Sequence, residues 1–205
     1  MNYFDNKAKD WDDNPLFVDR AKAIAKEIIN SIELTKNMNV LDYGAGTGLL
    51  SFCLYDFVKK ITLADNSMEM LKIANEKINY NKIKNISTMS INLETENFQE
   101  KYDLIYSLMT LHHIKNIDMI VKKFHSNLNN NGYLCIIDLV KEDGSFHTDY
   151  KNYDGHNGFI IENLINTLEI NKFSEIKHKI CYEIEKKFDN NIIKKYPLFM
   201  LIGKK

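Results

Sequence analysis

The sequence is short of several residue types, and each shortage excludes a class of protein. Among its 205 residues Arg20 is the single arginine, and there are two prolines and three cysteines. Because recognition of guanine and phosphate relies on the arginine fork, one arginine argues against a dedicated DNA-binding protein. The formal charge of −1 gives no global field to attract nucleic acid or an anionic membrane.

The cysteines and the length of the apolar runs indicate the cellular compartment. Cys53, Cys135 and Cys181 are odd in number, widely spaced and set among apolar neighbours, which favours reduced core thiols over a disulfide framework or a zinc site. No apolar run approaches the roughly 20 residues that a membrane span needs. The polar first residues are unlike a signal peptide. We therefore expect a cytoplasmic protein without a membrane partner.

What the sequence does contain is an alternation of helical and strand-like patterns. Apolar residues at spacings of three and four after Pro15 predict a helix of about five turns. Further helical patterns separate apolar segments that predict strands at 40–43, 60–65, 86–91, 102–107 and 133–139. Two β-like stretches near 176–188 and 198–203 predict an antiparallel C-terminal hairpin. This order is typical of an α/β protein with a mostly parallel, doubly wound sheet.

Local signals place some element ends. Asn66 and Glu69 resemble a capping box that begins a helix, and Gly132 is expected to end another helix in the left-handed conformation. Regular periodicity stops between residues 141 and 158, and a loop of that length in a compact domain is usually functional. We expect one domain over 1–205, with a leader at 1–15 and a substrate-side loop at 141–158.

A glycine-rich turn, Gly44-Ala45-Gly46-Thr47-Gly48, follows the first predicted strand. Such a turn lets the backbone approach a ligand and points helix N-terminal amides at it, although a tight turn without a ligand also favours glycine. Leu49 stands where the dinucleotide motif has its third glycine, which disfavours an NAD-dependent dehydrogenase. Asp65, about 20 residues later, is placed to accept ribose hydroxyls, or to cap a helix. The pair predicts an adenosine-type cofactor.

Four segments resemble motifs of one enzyme family. Residues 40–51 (VLDYGAGTGLLS) are similar to motif I of the class I S-adenosylmethionine-dependent methyltransferases. Segments 63–71, 102–114 and 130–139 are similar to the second, fourth and fifth motifs, and 4–15 to the entry segment of ubiquinone and menaquinone methyltransferase-like enzymes. The resemblance implies a Rossmann-like, doubly wound seven-stranded sheet, S-adenosylmethionine as cofactor and a small-molecule methyl acceptor.

The resemblance also implies which residues hold the cofactor. The methionine part would be bound by the motif I residues and by a backbone carbonyl at the end of the fourth strand: Asp42 through water, Gly44, Ala45, Gly46, Gly48 and Ser107. The ribose and adenine would be bound by residues that follow the second and third strands: Asp65, Asn66, Met68, Asn92 and Leu93. Asn92 departs from the aspartate frequent in the family, but its amide oxygen still accepts a hydrogen bond.

The fourth and fifth strands end in candidates for a general base. Methyl transfer requires a positioned acceptor and, for a hydroxyl, removal of its proton. A histidine paired with an aspartate does this near neutral pH. We predict His113 with Asp138, ahead of His112, and take His147 of the loop as a further catalytic candidate. The alternative is that these histidines pack or cap.

Other polar residues carry open alternatives. The spacing of His147 and His156 does not match common zinc sites, so no metal site is predicted. Trp11 and Tyr3 either cover the cofactor or pack on the first helix. Arg20 is expected in a surface ion pair rather than on a carboxylate of cofactor or substrate.

The predicted function is therefore methyl transfer from S-adenosylmethionine to a small molecule, with O-methylation assisted by a His/Asp base as the favoured form. The alternatives are a cofactor-binding protein without catalysis and, less favoured, a nucleic-acid or protein methyltransferase. We expect no nucleic-acid partner, and a monomer or homodimer.

Overall fold

The structure, a computed structural model, describes residues 4–92, 94–97, 99–150, 153–188 and 192–205. Its α-helices are α1 (Pro15–Ser31), α2 (Ser51–Leu54), α3 (Met68–Tyr80), α4 (Ile117–Asn127) and α5 (Ile161–Ile170). Its strands are β1 (Asn39–Tyr43), β2 (Lys60–Asp65), β3 (Ile86–Ser90), β4 (Tyr102–Leu108), β5 (Leu128–Leu139), β6 (Ser174–Lys187) and β7 (Ile193–Lys204). Tyr3 and Leu93 lie outside the described residues.

The strands form one seven-stranded sheet in the order β3-β2-β1-β4-β5-β7-β6. The first five strands in this order are parallel, whereas β7 runs antiparallel between β5 and β6. The predicted α/β sheet with an antiparallel C-terminal hairpin is confirmed. Because the chain proceeds outward from β1 to β3 and then returns to β4, a crevice opens at the carboxyl ends of β1 and β4.

Helices cover both faces of the sheet, so its central strands are buried on both sides. Ile28 of α1 and Ala74 of α3 pack in one core, and Phe124 of α4 and Leu168 of α5 pack in the other. Full burial of a large apolar side chain stabilises the fold by about 1.5–3 kcal/mol. None of the described helices is long and apolar enough to cross a membrane. The three cysteines are free thiols.

The N-terminus of α3 differs from the predicted capping box. Ser67, not Asn66, is the cap residue, with extended backbone angles, and its Oγ accepts a hydrogen bond from the Met70 amide at 3.2 Å. Ser67 Oγ also donates to Asp5 of the leader at 2.6 Å. The helix therefore begins one residue later than expected, and its cap ties the leader to α3.

The first residues of β5 also differ from the expectation. Asn131 takes the left-handed conformation, with φ of 64°, and Gly132 does not. A Cβ at Gly132 would lie 2.9 Å from the carbonyl oxygen of Asn129 and 3.1 Å from that of Asp103. The glycine is needed there because two backbone segments approach closely. Strand β5 accordingly begins at Leu128, directly after α4.

Candidate functional site

A cavity of about 860 Å³ opens at the carboxyl ends of β1, β2 and β4. Small-molecule sites commonly have volumes of about 300–1,000 Å³ and lie where the strand order of such a sheet reverses. The leader, the glycine loop, α1 and the 141–158 loop all contribute to its walls. The cavity is therefore the candidate site.

The glycine loop forms one wall. Gly44 has φ of 70°, and a Cβ there would lie 2.2 Å from Thr110 Cγ2, so this glycine is required by close packing. Gly46 has φ of 55°, yet an added Cβ would meet nothing closer than the Met70 sulfur at 3.8 Å. The open space beside Gly46 fits a ligand that lies against the backbone. Gly48 packs instead on Leu63 and does not line the cavity.

Asp65 joins the glycine loop to α3. Its two carboxylate oxygens accept hydrogen bonds from the Gly46 amide and the Ser67 amide, each at 2.8 Å. Burial raises the pKa of Asp65, while these amides act to lower it. The Asn66 amide also donates to this carboxylate. A carboxylate has about four acceptor positions, so one remains for a ligand hydroxyl. Asp65 lines the cavity, and its predicted contact with a ribose stays a prediction.

Asp42 is buried at the end of β1 and lines the same cavity. Ser51 Oγ donates to its carboxylate at 2.7 Å and lies 2.6 Å from the hydroxyl of Tyr106. Because Ser51 has one proton to donate, Tyr106 is the donor to Ser51. Burial raises the pKa of Asp42 from 3.8 to about 7, although the Ser51 hydrogen bond acts in the opposite direction. Its charge therefore changes near neutral pH.

Only some of the residues predicted to bind ribose and adenine line the cavity. Asn66 and Asn92 line the cavity, and the Asn92 amide oxygen already accepts from the Glu94 amide at 3.0 Å. Met68 is 63% exposed and does not line the cavity, whereas Met70 is 1% exposed and does. Residues two apart on a helix differ by about 200° in direction, so only one of the two methionines faces inward.

Ser107 is placed inside the sheet rather than at the cavity. It is fully buried in β4 opposite Ile136, and its hydroxyl has no hydrogen-bond partner among the described residues. The residues of this segment that line the cavity are the next three: Leu108, Met109 and Thr110. Strand β4 is one residue longer than predicted, which moves its end beyond Ser107.

The predicted partner of Asp138 was wrong. Asp138 Oδ1 lies 2.6 Å from His112 Nδ1, and Asp138 Oδ2 accepts from the His112 backbone amide at 3.2 Å. Residues 111–113 form a single 3-10 turn, which directs consecutive side chains about 120° apart, so only one ring reaches Asp138. Burial acts to raise the pKa of Asp138, but the contact with His112 lowers it below its ordinary value.

His113 and His147 lie beside this pair in the cavity wall. The His113 ring is 4.1 Å from that of His112 and 5.7 Å from that of His147, measured between centroids. The His147 ring stacks on Tyr153 at 3.8 Å. Burial, with the neighbouring imidazoles, lowers the pKa of His113 to about 3 and of His147 to about 4. Both imidazoles are therefore neutral at neutral pH.

The 141–158 loop is tied to the histidines by its own polar groups. The His156 amide donates to the His112 carbonyl at 2.7 Å, and the His156 ring lies 2.9 Å from the Ile114 carbonyl. The Tyr153 hydroxyl donates to the His112 carbonyl at 2.9 Å. His156 thus fixes the loop, and the loop brings His147 to the cavity.

The leader is tied to the cavity at three points. Thr47 of the glycine loop donates to Asp12 at 2.5 Å, and Asp5 accepts from the cap of α3. Phe4 packs edge-on against His113 at 5.1 Å. Trp11 both packs on Phe17 of α1, at 4.6 Å between rings, and lines the cavity. Trp11 therefore packs on the first helix, and its cover of the cofactor stays a prediction.

Arg20 is not in the expected surface ion pair. Its Nε is buried without a hydrogen-bond partner, and no described acidic residue forms an ion pair with its guanidinium. The guanidinium lies 5.0 Å from the Phe17 ring centroid, and Arg20 lines the cavity. Burial lowers its pKa to about 10, so it remains charged at neutral pH. Beyond the rarity of arginine, no sequence pattern indicates this placement.

Comparison with known proteins places the chain in a family. It is 29% identical over 127 residues to an uncharacterized methyltransferase of Schizosaccharomyces pombe, covering 58% of the chain and 45% of that protein. It is 28% identical to a ubiquinone biosynthesis O-methyltransferase of Pelagibacter ubique, covering 62% and 54%. The chain thus spans about half the length of these two relatives.

Solved structures agree in fold. A SAM-dependent methyltransferase from Aquifex aeolicus superposes with a TM-score of 0.69 at 18% identity, covering 98% of the chain and 97% of that protein. A phosphoethanolamine N-methyltransferase of Haemonchus contortus, in complex with S-adenosylmethionine, gives 0.71 at 14% identity, covering 88% and 52%. The sequence model of a methyltransferase domain matches residues 34–194, so the chain belongs to the family of S-adenosylmethionine-dependent methyltransferases that its motifs resemble.

Proposed function

We propose that this chain binds S-adenosylmethionine and transfers its methyl group to a small-molecule acceptor. The observation that carries the proposal is Asp65, whose carboxylate joins the glycine loop to the start of α3 at the mouth of the crevice. Bound S-adenosylmethionine would supply a methyl group already activated on a sulfonium. Asp42 would hold its amino group, the loop at Gly46 its methionine part, and Asp65 its ribose.

Calorimetry with S-adenosylhomocysteine tests this binding. We expect a single saturable site in the unmodified chain and a weaker one in Asp65→Asn, because the amide loses the charge that strengthens hydrogen bonds to hydroxyls. Asp56→Asn is the matched control, since Asp56 is an exposed acid outside the cavity. Absence of binding in the unmodified chain would refute the proposal.

For a hydroxyl acceptor we propose that His112 accepts the proton. A carboxylate only accepts hydrogen bonds, so Asp138 holds the His112 tautomer with the proton on Nδ1 and a lone pair on Nε2. His113 and His147, the candidates predicted first, would shape the same wall. O-methylation is favoured over a cofactor-binding protein without catalysis because an aligned His/Asp pair reaches the cavity.

We further propose that Arg20 binds a carboxylate, of the cofactor or of the acceptor. Among the described residues the guanidinium has no acidic partner and its Nε is buried, which is costly unless a ligand pairs with it. If Arg20 binds the carboxylate of the cofactor, Arg20→Met should weaken binding of S-adenosylhomocysteine. It should leave the affinity for 5′-methylthioadenosine, which lacks the carboxylate, unchanged. Equal affinity of Arg20→Met and the unmodified chain for both ligands assigns Arg20 to the acceptor.

We also propose how the leader and the 141–158 loop are arranged in the domain. Residues 1–205 form one domain, in which the leader at 1–15 and the loop at 141–158 cover the acceptor side. Asp12, Phe4 and Tyr153 support this arrangement through their contacts with the glycine loop and the histidines. A cytoplasmic location, a monomeric or dimeric state and the lack of a nucleic-acid partner stay predictions.

A further inference from the structure

Three histidines from two separate segments converge on one side of the cavity. His112 and His113 follow β4, and His147 comes from the 141–158 loop. One ring nitrogen of each lies within 4.8 Å of those of the other two. The ring centroids of His112 and His147 are 4.9 Å apart. Nitrogens bound to one Zn²⁺ at about 2.0–2.1 Å lie roughly 3.4 Å apart. Side-chain rotations that move each ring nitrogen by about an ångström therefore bring the three to ligating distance.

We propose that His112, His113 and His147 form a binding site for a divalent transition-metal cation of the zinc type. The donor set contains three imidazoles and no carboxylate, which favours Zn²⁺, Co²⁺ or Ni²⁺ over Mg²⁺ or Ca²⁺. Three protein ligands leave a fourth position open, as in catalytic rather than structural zinc sites. All three residues line the cavity, so that position faces the space for an acceptor.

Asp138 gives the site the outer partner that metal-binding histidines require. Ligating imidazoles usually donate their second ring N–H to a carboxylate or carbonyl, which fixes the tautomer and raises ligand basicity. His112 makes this contact through Nδ1, 2.6 Å from Asp138, and both side chains are at most 2% exposed. The remaining nitrogen, Nε2, is therefore the ligand atom of His112.

His147 provides a second, independent observation. Its Nδ1 is buried and has no hydrogen-bond partner among the described residues. A buried nitrogen without a partner has lost its hydration without compensation, and a bound cation would supply that compensation. The stacked ring of Tyr153, with an interplanar angle of 11°, holds the His147 ring in place without occupying its nitrogens.

A cation at this site would act on the acceptor. A hydroxyl bound at the open position has a lowered pKa and releases its proton to solvent, leaving a metal-bound oxyanion. The cation would then replace proton removal by His112, whose Nε2 is engaged as a ligand. This use of the site rests on the proposed methyl transfer, whereas binding of the cation does not.

Titration of the chelator-treated full chain with Zn²⁺ alone, followed by calorimetry, tests the site. We expect one equivalent to bind, with Co²⁺ giving the visible absorption of a tetrahedral complex. Asp138→Asn should weaken Zn²⁺ binding about 10- to 100-fold, as outer-partner substitutions do. His147→Ala should weaken it at least as much. His178→Ala is the matched control, because His178 is an exposed histidine of β6, away from the cavity.

The outcomes are separable from those of the cofactor test. Binding of S-adenosylhomocysteine by His147→Ala shows that this variant is folded, so its loss of Zn²⁺ binding then supports the site. If the unmodified chain binds no stoichiometric Zn²⁺, or if His147→Ala binds it as tightly, the site is refuted. Zn²⁺ binding without binding of S-adenosylhomocysteine would refute the proposed function and leave the metal site standing.

Discussion

The buried carboxylate of Asp42 predicts that cofactor binding is linked to proton release near neutral pH. With a pKa of about 7, roughly half of the Asp42 side chains are protonated at pH 7 in the free chain. An ammonium group bound nearby favours the carboxylate and lowers such a pKa by about 1–3 units. Binding of S-adenosylhomocysteine at pH 7 should therefore release up to about half a proton.

The same linkage sets the direction of the pH dependence. Since the ionised form of Asp42 binds the ammonium, affinity for S-adenosylhomocysteine should rise by up to about tenfold between pH 6 and pH 8 if the pKa falls by at least one unit. Calorimetry in two buffers of different ionisation enthalpy measures the proton release directly. Asp42→Asn should bind more weakly, with no release and a flatter pH profile.

The reasoning would be refuted by an unmodified chain that releases no proton at pH 7 and binds equally at pH 6 and pH 8. Asp56→Asn serves as control, because Asp56 is exposed and its substitution should leave both quantities unchanged.

The raised pKa of Asp42 also has a consequence for folding. A carboxyl whose pKa is raised on folding contributes stability that is present at low pH and declines as pH rises from 3.8 to about 7. The shift corresponds to about 4 kcal/mol, a decline that urea unfolding should show and Asp42→Asn should remove.

Three further predictions concern the frame of the cavity. Asp65→Ala should weaken binding of S-adenosylhomocysteine by about 1–3 kcal/mol in calorimetry, and unchanged affinity would exclude its role at the ribose. Gly44→Ala should lower the free energy of unfolding by about 1–3 kcal/mol, because its Cβ would lie 2.2 Å from Thr110. Gly46→Ala shares the strain of a positive φ but has open space for its Cβ, so it should lower the free energy of unfolding less than Gly44→Ala and mainly weaken ligand binding. Equal effects of the two on urea unfolding would contradict this. Ser67→Ala should cost about 1 kcal/mol in thermal unfolding through loss of the α3 cap, and no change would show the cap to be redundant.

The sheet and the positions of the glycine turn and Asp65 at the cavity were predictable because their signals are local. Strand segments such as 60–65 are short apolar runs, and the glycine turn 44–48 follows one of them directly. The position of Asp65 at a strand end follows from the same segment, and parallel strands bring their carboxyl ends to one edge. Each of these inferences needs only neighbours in sequence and the handedness of crossovers.

The acceptor side was predicted less well because its contacts are long-range and depend on single rotations. Asp138 lies 26 residues from His112, and which ring of the pair His112–His113 reaches it is decided by one 3-10 turn. Two residues likewise separate the exposed Met68 from Met70, which lines the cavity. Periodicity indicates which face of an element is apolar, but it does not decide which of two adjacent polar side chains points inward.

Charge is unevenly distributed along the cavity wall. At one end lie the buried Asp42 and the partly buried Asp65, which would favour the ammonium and hydroxyl groups of the proposed cofactor. Two further acids of the wall are paired with lysines, Asp149 with Lys186 and Asp154 with Lys115. Arg20 remains there as a buried cation without an acidic partner among the described residues. An anionic group, either the carboxylate of the cofactor or one of the acceptor, is therefore favoured beside Arg20 and disfavoured beside the acids.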